Sequence, residues 1–193
     1  SLQRWWDQQG MKVVVVLLLA LVVFVHYSRN VFVTVDPGAV GVLWKRLDGG
    51  TVLDRTYPEG LHIVLPWNRM FVYDTRLQQV EDTYSVATSD GLVVHVIVST
   101  RFVPNAGQVP ALHRLVGPDY VDRLVRAEVE RGVQRVVGSH TSDALDAASL
   151  TTLMEALHRD VEDHIDKRFI TLYAVGIDRM ELRNRYKGQS LTR

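Results

Sequence analysis

Asp90-Gly91-Leu92-Val93-Val94-His95-Val96-Ile97-Val98-Ser99-Thr100-Arg101-Phe102 is the stretch that decides the fold class. Asp-Gly is a tight-turn pair, and a two-residue alternation follows it. Val94, Val96, Val98, Thr100 and Phe102 share one face, opposite Val93, His95, Ile97, Ser99 and Arg101. One mostly apolar face at period two predicts a half-buried strand. Upstream, short β-branched segments alternate with turn residues in the same style. Residues 31–35 end at Asp36-Pro37-Gly38, and residues 39–46 close at Asp48-Gly49-Gly50. Residues 61–65 lie between Pro58-Glu59-Gly60 and Pro66; 70–75 and 77–86 complete the strand-rich half.

Downstream the period changes from two to between three and four. Pro118 suits a first helical position, and Tyr120, Leu124, Val133, Val136 and Val137 form one stripe. A second helix carries Leu150, Leu153, Met154, Leu157, Val161 and Ile165, with Thr152 and Glu155 as its expected capping box. Glu155–Arg159 and Asp163–Lys167 are i,i+4 pairs in the favourable order. Residues 171–182 return to strand character, with Tyr173, Val175 and Ile177 expected on one face. Strands, two packed helices and a return strand make an α+β domain with mixed or antiparallel strands.

Ahead of this domain stands VVVVLLLALVVFV, residues 13–25, uncharged and preceded by Lys12. As a helix it spans about 20 Å, short of the ~30 Å hydrocarbon core; from residue 11 to 27 it reaches about 25 Å. Trp5 and Trp6 upstream and Tyr27 downstream suit the two interfaces, and Lys12 is close enough to the end to snorkel. A dozen apolar residues at about −0.3 to −0.6 kcal/mol each outweigh one terminal lysine. His26-Tyr27-Ser28-Arg29 offers no small-residue cleavage site. The reading is a single transmembrane anchor including Val13, Leu17, Leu21 and Phe24; a buried core helix is the alternative.

Acids and bases balance at 22 each, which gives no basic field for nucleic acid. There is no cysteine, hence no disulfide, thiolate metal site or cysteine nucleophile. His158 and His164 are six apart and do not form the i,i+4 metal pair, and the acids around them read as a solvated helix face. Ser139-His140 lacks a nucleophile elbow. Gly49-Gly50 lacks the downstream Gly-Lys-Ser/Thr that cradles phosphate. Arg123, Arg126, Arg131 and Arg135, interleaved with Asp122, Glu128 and Glu130, read as ion-pair partners or a subunit contact. No catalytic residue, cofactor site or metal site is identified, and the chain is not read as an enzyme.

From Pro37-Gly38-Ala39-Val40-Gly41-Val42 onward the chain resembles the SPFH or band-7 superfamily of stomatins, prohibitins and flotillins. Pro58-Glu59-Gly60-Leu61-His62 with Leu65-Pro66-Trp67, then Asp74-Thr75-Arg76, then Thr88-Ser89-Asp90-Gly91, match successive landmarks. The segment from Arg101-Phe102 to Gly117-Pro118-Asp119-Tyr120 is most similar to prohibitins, and Gly176 fits the last strand. Each motif alone is a turn and a strand; their order is what is specific. The resemblance implies an anchor over residues 1–29, an SPFH domain over 30–184, and a coiled-coil helix opening at 185–193. It also implies an anchored scaffold subunit that joins a large homo- or hetero-oligomeric ring or cage of SPFH proteins in the membrane lipids. Such assemblies organise microdomains and regulate membrane proteins or proteases. A monomeric or small-oligomer adaptor that holds one membrane partner, such as an AAA protease, is the competing reading. Flanking charge gives almost no vote on orientation. Similarity to prohibitins implies an inner membrane with the domain on its outer side, periplasmic or intermembrane.

Overall fold

A computed structural model of the chain describes residues 10–22, 31–147 and 150–183. The chain divides into two compact units, Ser1–Tyr73 and Asp74–Arg193.

In the first unit, residues 10–22 are a helix, α1. Strands β1 (Phe32–Val35) and β4 (Gly60–Ile63) pair antiparallel, and β2 (Ala39–Lys45) lies between β3 (Gly50–Thr51) and β5 (Arg69–Asp74) in a second sheet. The β1–β2 connection is a tight turn in which Ala39 N–H donates to Asp36 O at 3.0 Å. Pro37 presets the first central position, and Gly38 takes a φ of 78° at the second, which a residue with a Cβ adopts poorly. Gly41 and Tyr57 exchange backbone hydrogen bonds of 2.8 and 2.9 Å, tying the long β3–β4 connection to β2. The core of this unit is small: Val35, Val42, Leu43, Val64 and Tyr73 are buried.

The second unit is an antiparallel sheet in the order β6 (Gln78–Ala87), β7 (Val93–Pro104), β8 (Ile170–Arg183), with helices on one face. The alternation expected for β7 is observed: Val94, Val96, Val98, Thr100 and Phe102 are all at most 2% exposed. Against them pack Val129, Val133 and Val137 of α3 (Ala127–Gly138), Leu145 of α4 (Ser142–Ala147), and Leu153, Leu157 and Val161 of α5 (Leu150–His164).

Several features differ from the sequence reading. A short helix, α2 (Val109–Leu115), follows the 3-10 turn Ala106–Gln108 and buries Val109 and Leu112. Seven residues with proline in the first turn give too little periodicity to read as a helix. Pro118 lies in a turn, and helical structure starts at Tyr120, running through the π-helical stretch Val121–Arg126 into α3. Thr152 is inside α5 and so does not cap it. Lys167 reaches Glu162 at 3.5 Å rather than Asp163.

Tyr173 is the instructive miss, because it is 62% exposed while Val175 and Ile177 are buried. The β7–β8 register shifts between Arg101 and Phe102 and again between Ile97 and Val98. Each shift inserts an extra β8 residue, so the inward set becomes Ile170 and Leu172, then Val175 and Ile177, then Met180. Period-two counting cannot cross a bulge.

Candidate membrane-facing site

Among the described residues of its own unit, none buries helix α1. Every residue from Met11 to Val22 is exposed, Lys12, Val13, Leu17 and Leu21 included. A helix apolar on all sides needs an apolar surrounding, and over the described residues the chain does not supply one. Among the described residues no helix is long and apolar enough to cross a membrane. Trp5, Trp6, Phe24 and Tyr27, and residues 184–193 where the coiled coil is expected, lie outside the described residues.

A second apolar surface belongs to the β1–β4 pair. Phe32 faces Ile63 and Thr34 faces Leu61 in register, and this side of the pair is the exposed one. Leu61 is 64% exposed and Ile63 76%, and Leu65 and Trp67 continue the apolar run past the strand, with Pro66 between them. The other side carries Val33 and Val35 with His62 and Val64. His62 stacks edge-on to Tyr57 at 5.4 Å, and its Nε2 lies 2.7 Å from Pro58 O, so it serves packing. A contiguous exposed apolar patch on a small unit marks an interaction or membrane surface. The sequence reads residues 61–65 as a strand segment between turns; which of its sides faces outward follows only from the pairing with β1.

The remaining motif positions hold the frame. In the second unit Asp74 accepts the Arg76 backbone N–H at 2.9 Å and its guanidinium at 3.0 and 2.8 Å, which clamps the start of β6. The Arg76 hydrogen bonds hold the Asp74 carboxyl below its ordinary range. Tyr120, buried, shares hydrogen bonds with the Gln78 amide and meets Phe102 edge-on at 6.5 Å. Burial pushes its phenol up. Gly117 follows α2 with its N–H donating to Leu112 O at 3.1 Å, and Gly176 pairs with Ser99 in the sheet.

Asp90 and Gly91 do more than turn the chain. Asp90 accepts hydrogen bonds from the Thr88 hydroxyl and from the Ser142 hydroxyl and backbone N–H, while Ser89 N–H donates to His140 O at 3.0 Å. The β6–β7 turn is thereby latched to the start of α4. The Ser142 and Thr88 hydrogen bonds hold the Asp90 carboxyl down at about 2. No local signal in sequence joins residues 52 apart.

The arginines of the π-helical stretch and α3 are largely satisfied within the chain. Arg126 pairs with Asp82 and Asp122, Arg131 with Glu128, and Arg135 with Asp160 at 2.7 Å and Glu128 at 3.6 Å. His140 and Ser139 both bond Val136 O at the end of α3, at 2.7 and 2.9 Å, so they form a helix terminus rather than a nucleophile and its base. Among the described residues no group of three or more histidine or carboxylate side chains is placed to hold a metal.

Strand-rich first unit, sheet with α3 and α5 on one face, and the Pro-Gly, Asp-Thr-Arg and Ser-Asp-Gly turns in order are now in place. The sequence pattern of the SPFH domain / Band 7 family matches residues 33–189. The chain belongs to this family. The SPFH/Band 7 family is non-catalytic, in keeping with a sequence that carries no enzymatic motif. Among curated relatives, the chain is 28% identical to "Prohibitin-1, mitochondrial" of Arabidopsis thaliana over 161 residues, which is 82% of this chain and 52% of that protein. It is 26% identical to Prohibitin 1 of Mus musculus over 175 residues, 90% of this chain and 61% of that protein. It is 25% identical to Prohibitin-2 of Saccharomyces cerevisiae over 143 residues, 74% of this chain and 44% of that protein. The chain thus spans about half the length of the prohibitins it matches.

Proposed function

We propose that this SPFH protein is a membrane-anchored scaffold subunit that joins a lateral ring or cage, organises membrane microdomains, and regulates membrane proteins or proteases. The observation that carries the membrane part is the uncovered apolar helix α1 followed by the exposed apolar side of β1–β4. Only residues 26–31 separate the end of the apolar run from β1. Six residues reach about 20 Å at full extension, so Phe32, Leu61 and Ile63 stay close to the bilayer into which the run inserts. Residues 1–29 act as the anchor, residues 30–184 as the scaffold domain, and residues 185–193 open the coiled coil. Holding the domain flat confines neighbours to two dimensions and favours assembly. Similarity to the prohibitins supports the oligomer, the inner-membrane location and a domain on the outer side.

Alkaline extraction of membranes tests the anchor. The chain is expected to stay in the pellet, and the L17K/L21K variant, which puts about 3 kcal/mol of cost per lysine at the centre of the run, to be released. Release of the unmodified chain would refute anchoring. Protease protection in sealed vesicles tests the side: digestion of the domain from the cytoplasmic or matrix face would refute the outer location.

A further inference from the structure

A cavity of about 590 Å³ opens in the first unit, lined by Trp44, Arg46, Trp67 and Arg69 with Val33 and Met70. Its volume is that of a small-molecule site, about 300–1,000 Å³. Among the described residues no carboxylate lines it. That matters because two guanidinium groups face one cleft with no carboxylate among its lining residues to neutralise them, whereas about half of the described cations are paired. Lys45, Arg76, Arg126, Arg131, Arg135, Lys167, Arg168 and Arg179 all pair with carboxylates. Among the described residues Arg46 and Arg69 have no carboxylate partner, and Arg69 rests over the Phe71 ring at 6.0 Å. The cleft is also braced. Arg46 N–H donates to Asn68 Oδ1 at 3.3 Å, and Asn68 N–H donates to Leu65 O at 2.9 Å, fixing the loop that carries Trp67 against the end of β2.

We infer that this cleft binds the headgroup of an anionic phospholipid, with Arg46 and Arg69 on the phosphate and Trp44 and Trp67 flanking the glycerol region. Guanidinium forks match phosphate oxygens two at a time. Indole rings combine an apolar body with one N–H donor and favour the headgroup level of a bilayer. Trp67 belongs both to the cleft and to the exposed apolar run that includes Leu65, so a lipid seated here keeps its chains toward the membrane side. The inference rests on the membrane reading above and adds a lipid preference to it.

The test uses the whole chain in detergent with W5F/W6F, so that only two of its four tryptophans, Trp44 and Trp67, report. Short-chain phosphatidylglycerol, short-chain phosphatidylcholine and glycerol phosphate are titrated against indole fluorescence. A saturable change with phosphatidylglycerol, at least tenfold weaker with each of the other two, is expected. R46Q/R69Q should weaken phosphatidylglycerol binding at least tenfold, and R46K/R69K should fall between that variant and the parent with an unchanged melting curve. Equal affinity for the two lipids, or no effect of R46Q/R69Q, overturns the proposal. Glycerol phosphate binding as tightly as the lipid overturns it in favour of a soluble phosphate ester. Flotation on neutral phosphatidylcholine vesicles separates the two readings. A chain that floats yet fails the titration refutes the cleft alone, and one that does not float refutes the anchor.

Discussion

Gly132 of α3 lies so close to α5 that a methyl group at that position would come within 2.7 Å of Val161 Cγ2. The same methyl would sit 3.1 Å from Asp160 Oδ2 and 3.3 Å from Leu157 Cδ1. Glycine inside a helix ordinarily costs about 1 kcal/mol relative to alanine, and here it lets two helices approach over the sheet. Gly132→Ala is therefore expected to destabilise, because overpacking costs about 1–3 kcal/mol and exceeds or cancels the propensity gain. A thermal melt followed by circular dichroism checks it; a raised midpoint would show that the helices separate freely.

The same helix pair is pinned by Arg135, whose guanidinium contacts Asp160 through Nε at 2.9 Å and Nη2 at 2.7 Å. The two side chains are 37% and 19% exposed, and two guanidinium nitrogens on one carboxylate put the pair at the upper end of what surface ion pairs contribute. A double-mutant cycle with Arg135→Met and Asp160→Asn is expected to give a coupling of about 1 kcal/mol. A coupling indistinguishable from zero would reduce the contact to a bystander.

Asp90 gives the fold a defined acid sensitivity. Its folded carboxyl titrates at about 2 because Ser142 and Thr88 donate to it, against an unfolded value near ~3.9. A depressed carboxyl contributes stability that is present above about pH 4 and is lost as pH falls toward 2. Melting curves across that window should fall less steeply for Asp90→Asn than for the unmodified chain. Parallel curves would mean the latch is not the titrating element.

Phe32 and Ile63 oppose each other on the exposed side of β1–β4. Phe32 is 48% and Ile63 76% exposed, so replacing both with serine should cost only about 1 kcal/mol, through the lost cross-strand pair and strand propensity. Vesicle binding of a chain whose apolar run is deleted should drop in the same variant. Retained binding would assign the patch to a protein partner instead.

How far the sequence reached is visible in the three strands of the second unit. The β7 alternation was legible because the strand is buried on one side by helices whose own stripes, through Val133 and Leu157, are equally regular. In β8 the regularity is broken by bulges set against β7, and Tyr173 consequently faces solvent. Short α2 has too few residues to show a period, and the Asp90–Ser142 latch joins distant segments without a local pattern. For the first unit, the apolar run was legible in composition and flanks, although its length alone falls short of a bilayer. The outward side of β1–β4 was not, because Leu61, Ile63 and Leu65 carry the same alternation whether they face a core or a bilayer.

The central claim is that an anchored SPFH subunit assembles laterally, and particle size measures it most directly. Electron microscopy of the full-length protein, gently solubilised from its membrane, should show closed rings or cages of many subunits with the domain of residues 30–184 repeating around the wall. Homogeneous monomers or dimers, in the detergent that preserves fold and membrane association, would contradict the scaffold.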